Sequence, residues 1–274
     1  MARLAGRVVL ITGSTGIGAA TAERAGAEGA SVFVVSRTAE HARTLAERLP
    51  SAGWAEADLT DEVAVDRAVT ASLERFGRID GLFSVAGGSG RRFGDGPIHT
   101  VTGDAWEATT ALNLRTQVLV CSRVVRAMRD QPPDASGMRG SILLLGSITT
   151  DAPVPELFGT HAYAAAKGAL TALMTTMAAT YIEDRIRVNL VAPSLTATPM
   201  AARAASDPHI LGYAARKQPL AGSMLDPDEV AKAAIYFLSD ESRAVTGQSL
   251  AVDGGWSIVS TTAESKQKTR DSMG

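Results

Sequence analysis

The stretch RVVLITGSTGIGAATAERAG, residues 7–26, decides the fold. It opens with RVVLIT, an apolar, β-branched run of strand length. Gly13, Gly16 and Gly18 follow, and GIGAATAERAGAEG then reads as a helix. A run without polar alternation is a strand buried on both faces, as in a parallel sheet. Glycines placed between a first strand and its helix let the backbone turn tightly. They also let it approach a pyrophosphate, whose charge meets the helix N-terminus.

The same alternation continues outward from this unit. SVFVVS is a second strand, followed by the helix AEHARTLAERL; GWAEADL is a third, followed by a helix that Gly77 closes. IDGLFSVAG is the fourth, then a long helix runs from about Asp104 to Arg129, and GSILLLGS is the fifth. After the next helix come the strand RIRVNLVAP, a helix opened by Asp226, Pro227 and Glu229, and the last strand QSLAVDGG. Strand–helix alternation from end to end predicts an α/β fold: a doubly wound, mostly parallel seven-stranded sheet with helices on both faces. No composition break divides it. One domain is expected over residues 1–259, with a polar, disordered tail over 260–274. Three connections, near 88–103, 149–160 and 199–224, are long enough to be functional or mobile.

Composition narrows the function. The chain has 274 residues, 45% apolar and 20% charged, and a net charge of −2 without a basic tract, so nucleic acid is not an expected partner. The apolar run VVLI is too short for a signal peptide, and no stretch approaches the roughly 20 apolar residues that span a bilayer. A soluble, cytoplasmic protein without a membrane partner is expected. One cysteine, Cys121, excludes an internal disulfide and suggests no metal site.

Two segments carry the same pattern. HAYAAAKGAL sets Tyr163 and Lys167 one helical turn apart, and GYAARKQPL repeats this with Tyr213 and Lys217. In an open parallel sheet, ligands lie along the carboxyl edge of the strands, and reactive side chains project there. Ser147 ends the fifth strand at that edge, and Tyr163 and Lys167 lie on the next helix. Tyr213 and Lys217 have no strand edge beside them and read as a solvated, amphipathic flap.

From Gly6 to Trp256 the chain resembles the short-chain dehydrogenase/reductase family, in its single-domain Rossmann-fold branch. The resemblance rests on the glycine loop TGSTGIG, ADLT, SVAG, LNL, Ser147, YAAAK, NLVAPSLTAT and VTGQSLAVDGG, in that order. It implies a nicotinamide-dependent oxidoreductase interconverting a ketone and a secondary alcohol. Tyr163 is then the general acid or base, and Lys167 lowers its pKa and binds the nicotinamide ribose. Ser147 holds the substrate oxygen, and Asn113 binds a water that relays protons from Lys167. Cofactor contacts are implied for Gly13, Gly16, Ile17, Gly18, Ser36, Arg37, Asp58, Leu59, Ala86, Gly87, Asn113, Tyr163, Lys167, Leu195 and Thr198. Ser36 and Arg37 close the second strand where an acid would favour NAD(H), so NADP(H) is expected and NAD(H) is the alternative. Competing classes are an NAD-dependent secondary-alcohol dehydrogenase and a dinucleotide-sensing protein without turnover. The family also implies a homotetramer.

The chain departs from the family pattern at four places. Its loop is one residue short between Gly13 and Gly16. Ser84 stands where asparagine is usual, and Ser194 where glycine is. The connection from Ser147 to Tyr163 is a few residues long. Arg91, Arg92, His209, Arg216 and Lys217 in the long connections read as a solvated face or as groups steering an acidic substrate.

Overall fold

A computed structural model describes residues 2–260. The polar tail expected from residue 260 therefore lies, beyond Ser260, outside the described residues. The strands are β1 (Val8–Thr12), β2 (Ser31–Ser36), β3 (Ala52–Glu56), β4 (Gly81–Ser84), β5 (Gly140–Leu145), β6 (Ile186–Pro193) and β7 (Ser249–Val252). They form one sheet in the order β3-β2-β1-β4-β5-β6-β7, every neighbouring pair parallel.

The apolar runs explain why both faces are covered. Along β1, Val9 and Ile11 point into one core while Leu10 points into the other; Val32 and Val34 part from Phe33 and Val35 in the same way. Helices α1 (Gly16–Ala27), α2 (Ala39–Glu47) and, near the end of the chain, Pro227–Leu238 close the first core. Helix α3 (Glu62–Phe76) and the two long helices after β4 and β5 close the second. Gly77 ends α3 in the left-handed conformation, as expected, and its amide bonds the Leu73 carbonyl.

The long helix expected between Asp104 and Arg129 is present but interrupted. It is α4 (Gly103–Thr110), one π-helical turn (Ala111–Arg115) and α5 (Thr116–Asp130). A π turn is rare and sits mostly at functional sites, and this one carries Asn113. The three long connections fold into short pieces. The first holds a 3-10 turn at Gly90–Phe93. The second holds α6 (Pro155–Phe158), which leads into α7 (His161–Thr180). The third holds α8 (Ala202–Ala205) and α9 (Pro208–Lys217), and α10 (Pro227–Leu238) follows it. All three lie beyond the carboxyl ends of the strands. The sequence order reverses between β1 and β4, which opens a crevice at that edge.

Candidate active site

The crevice begins at the glycine loop. Gly16 has φ +53, and a Cβ there would lie 2.8 Å from the Thr198 Cγ2; a Cβ on Gly18 would lie 2.5 Å from the Gly13 carbonyl oxygen. Gly16 and Gly18 thus leave no room for a Cβ, the one against Thr198 and the other against the loop backbone at Gly13. The leading amides of α1 have no partner within the helix. The short loop is held from β2, where the Ser14 hydroxyl donates to the Ser36 Oγ at 2.9 Å. This cradle fits a dinucleotide pyrophosphate.

Thr12, at the end of β1, accepts from the Val85 and Ala86 amides at 2.9 and 3.1 Å. It fixes the end of β4 beside the crevice. Ser84, the neighbour of Thr12 in the sheet, is buried and its hydroxyl has no hydrogen-bond partner. Asn113 clamps the next residues: its Nδ2 donates to the Gly88 and Thr109 carbonyls at 2.9 Å each, and its Oδ1 accepts from the Gly88 amide at 3.0 Å. Both amide hydrogens are therefore used on the protein. Holding the chain after Gly87 is what this side chain does in the structure.

Beyond β5, the Ser147 Oγ lies 2.8 Å from the Thr149 Oγ1, and Ser147 and Tyr163 line the same cavity. Lys167 is buried one turn along α7, its Nζ 5.7 Å from the Tyr163 ring centre, and donates to the Leu145 carbonyl at 2.8 Å. Burial pushes the Tyr163 phenol above its usual value, against a smaller downward pull from Ser147. Burial also pushes the Lys167 ammonium down to about 7. The expected lowering of the tyrosine by the lysine does not appear: desolvation acts on both groups and disfavours the charged form of each.

Of the expected residues, Ile17, Arg37, Gly87, Ser147, Tyr163, Leu195 and Thr198 line one cavity of about 610 Å³. Asp58 stands outside it, exposed. The Thr60 amide and hydroxyl hold its carboxyl below the usual value, and Arg37 adds a smaller pull. Leu59 turns its side chain into the core with Leu10 and Leu82.

Three features of the cavity were not foreseen. Asp95, buried in the first long connection, accepts from the Ala162 and Tyr163 amides at 2.9 Å each and caps the helix that presents Tyr163. Trp256 and Phe158 form an apolar wall, ring centres 6.0 Å apart. Arg203 joins Arg91 and Arg92 in the lining. The Asp95 contact spans more than sixty residues of sequence, and no local pattern announces it.

The second tyrosine–lysine pair is placed differently. Tyr213 packs on the far side of Trp256, ring centres 5.7 Å apart, and Lys217 donates to the Val259 carbonyl. This corrects the expectation of a solvated flap. Helix α9 buries Ile210 and Ala214, and with Trp256 and Ile148 it forms part of a small apolar cluster.

A family model described as Enoyl-(Acyl carrier protein) reductase matches residues 11–257. The chain is also 35% identical over 265 residues to Short-chain dehydrogenase reductase 5 of Arabidopsis thaliana, covering 95% of this chain and 98% of that one. This protein belongs to the short-chain dehydrogenase/reductase family. As such it is an NAD(P)-dependent oxidoreductase acting on CH–OH and C=O groups. Solved structures of the family agree with the fold. A short-chain type dehydrogenase/reductase from Mycobacterium ulcerans superposes with a TM-score of 0.84 at 30% identity, covering 93% of this chain and 91% of that one. The 3-ketoacyl-(acyl-carrier-protein) reductase from Brucella melitensis, complexed with NADH, does so with 0.81 at 28% identity, covering 93% and 100%.

Proposed function

We propose that this short-chain dehydrogenase/reductase reduces a ketone to a secondary alcohol with NADPH. The carrying observation is that Ser147 and Tyr163 line one cavity together with Arg37, with Lys167 buried one turn from the tyrosine. The bound nicotinamide supplies the hydride. Ser147 and Tyr163 both line the cavity, so a carbonyl oxygen entering between them would meet two hydroxyls. A phenol whose pKa is raised by burial stays protonated at neutral pH. It is thereby suited to donate a proton to the oxygen, which is the reducing direction. Lys167, tied to the Leu145 carbonyl, would bind the ribose hydroxyls, and Asn113 holds the chain at Gly88.

Two features support NADPH. Ser36 is neutral, and Arg37 follows it at the cavity wall where a 2′-phosphate would sit. The structural relative complexed with NADH favours the other cofactor. Initial rates with both cofactors over a panel of ketones decide between them. Arg37→Ser should cut NADPH efficiency by about tenfold or more and NADH efficiency little, since a charge-assisted bond is worth about 1.5–3 kcal/mol. A parent enzyme faster with NADH at equal, subsaturating concentrations would overturn the NADPH reading. No helix among the described residues is long and apolar enough to cross a membrane, which supports a cytoplasmic enzyme. By family analogy we also propose a homotetramer, and light scattering at micromolar concentration tests it.

A further inference from the structure

The charge on the cavity wall has one sign. Four arginines line it, Arg37, Arg91, Arg92 and Arg203, and no Asp or Glu does, although the whole chain carries a net charge of −2. Two of the four have other partners or duties. Arg37 stands at the β2 end, and Arg92 lies over the Phe93 ring at 4.5 Å. The remaining two come from different long connections and converge. The Arg91 Nη2 donates to the Leu157 carbonyl at 3.1 Å, and the Arg203 Nη2 donates to the same oxygen at 3.2 Å. Their terminal nitrogens are therefore no further apart than the sum of those two distances.

Two guanidinium groups held this close repel each other, and a neutral carbonyl does not cancel that repulsion. Neither forms an ion pair among the described residues. The charge of Asp95 pulls the other way on Arg91 as the smallest of the three influences, and its two oxygens accept from the α7 amides. Desolvation pushes the Arg91 guanidinium below its usual value, and the charge of Arg203 adds to the push. An anion entering between the two would relieve the repulsion and could accept from both forks. Phe158, next to the shared carbonyl, and Trp256 supply an apolar wall beside them.

We propose that Arg91 and Arg203 bind a carboxylate of the substrate, so that the ketones reduced are oxo acids with an apolar skeleton. The inference rests on the reading of Tyr163 and Ser147 as the site of carbonyl reduction. In the reaction the carbonyl carbon takes a hydride from NADPH and the oxygen takes a proton by way of Tyr163. A hydroxy acid and NADP+ leave, and the carboxylate is unchanged.

The test compares levulinate, benzoylformate and benzoylpropionate, each against its methyl ester, with NADPH and the full-length protein. At least one acid should exceed its ester in kcat/KM by about tenfold, the worth of one charge-assisted bond. The double variant Arg91→Gln with Arg203→Gln keeps donors for the Leu157 carbonyl. It should bring that ratio near one through KM, while ester kcat and NADPH affinity stay within about twofold. Arg92→Gln should leave the ratio unmoved. Esters equal to or better than every acid in the parent would overturn the proposal. So would a double variant that loses acid and ester activity alike, or one that loses NADPH affinity at an unchanged ratio. A ketone bearing a phosphate monoester that outruns all the acids would overturn the assignment to a carboxylate. If no acid or ester is reduced with either cofactor, the reading of Tyr163 fails first. Calorimetry of the NADPH complex with benzoate and benzamide then decides the clamp. Tighter binding of benzoate that the double variant abolishes upholds it, and equal or absent binding of both overturns it.

Discussion

Helices α7 and α9 carry the same tyrosine–lysine spacing and do different things with it. In α7 the helix runs beside the end of β5. Tyr163 therefore shares the cavity lining with Ser147, and Lys167 is buried against the Leu145 carbonyl. In α9 the same spacing sits on a short amphipathic helix. Tyr213 supports Trp256 from behind, and Lys217 ties down the segment around Val259. In one pair the tyrosine faces a cavity beside a desolvated lysine, and in the other the tyrosine packs against a wall of that cavity. Residue spacing supplies a shared helix face; the strand edge beside it supplies the chemistry.

The largest effect should separate the two tyrosines. Tyr163→Phe should lower kcat by about 10²–10⁴-fold, the usual worth of a positioned general acid, with NADPH affinity nearly unchanged. Tyr213→Phe keeps the ring against Trp256 and should retain activity within a few-fold. Initial rates and cofactor titration on both variants check this. A dead Tyr213 variant beside an active Tyr163 variant would reverse the assignment.

The next effect should appear in the pH dependence of stability, through Lys167. Burial depresses the pKa of Lys167 from its ordinary 10.5 to about 7 in the folded protein. The unfolded chain therefore binds the extra proton between those values, and stability rises with pH across that window. The cost of the buried ammonium is fully present below about pH 7 and is gone above about 10.5. Lys167→Met should thus gain most over the parent below pH 7, and the gain should shrink as pH rises; denaturant unfolding at several pH values measures it. A constant difference for Lys167→Met would mean that its ammonium is not desolvated.

Asp95 sharpens the comparison from the α7 side. Asp95→Ala leaves the first amides of that helix unpaired, at a cost of about 1–3 kcal/mol in stability. It should lower kcat more than it raises KM, because Tyr163 moves with the helix end. Asp95→Asn, which keeps an acceptor, should restore much of the rate. Equal losses in both variants would argue that the carboxylate matters for folding alone.

The smallest effect concerns Ser84, where the family usually has asparagine. Its buried hydroxyl lacks a partner, while Thr12 already holds the Val85 and Ala86 amides. Ser84→Ala should be neutral or stabilising by up to about 1 kcal/mol. A clear loss of stability in thermal unfolding would reveal a bond that the hydroxyl does make.

The fold was legible because each buried strand is a local signal: VVLIT, SVFVVS and SILLL announce themselves by apolar runs that β-sheet geometry divides between two cores. Ser147, Tyr163 and Lys167 were legible because strand ends and helix starts are also local. The interruption at Asn113 was not, since a π turn leaves helical periodicity almost intact. Nor was the meeting of Arg91, Phe158, Arg203 and Trp256, which lie in three connections and a chain end with no period of their own. The sequence pattern made α9 look solvated because its apolar face is short. Only the position of Trp256 reveals what that face covers.

The most direct test of the central claim is a crystal structure of the full-length protein with NADPH bound. The account predicts the nicotinamide end against Tyr163, its ribose within hydrogen-bonding reach of Lys167, the pyrophosphate over Gly16–Gly18 and the 2′-phosphate at Arg37. A dinucleotide lying along α9, or one whose nicotinamide points away from Ser147 and Tyr163, would contradict it.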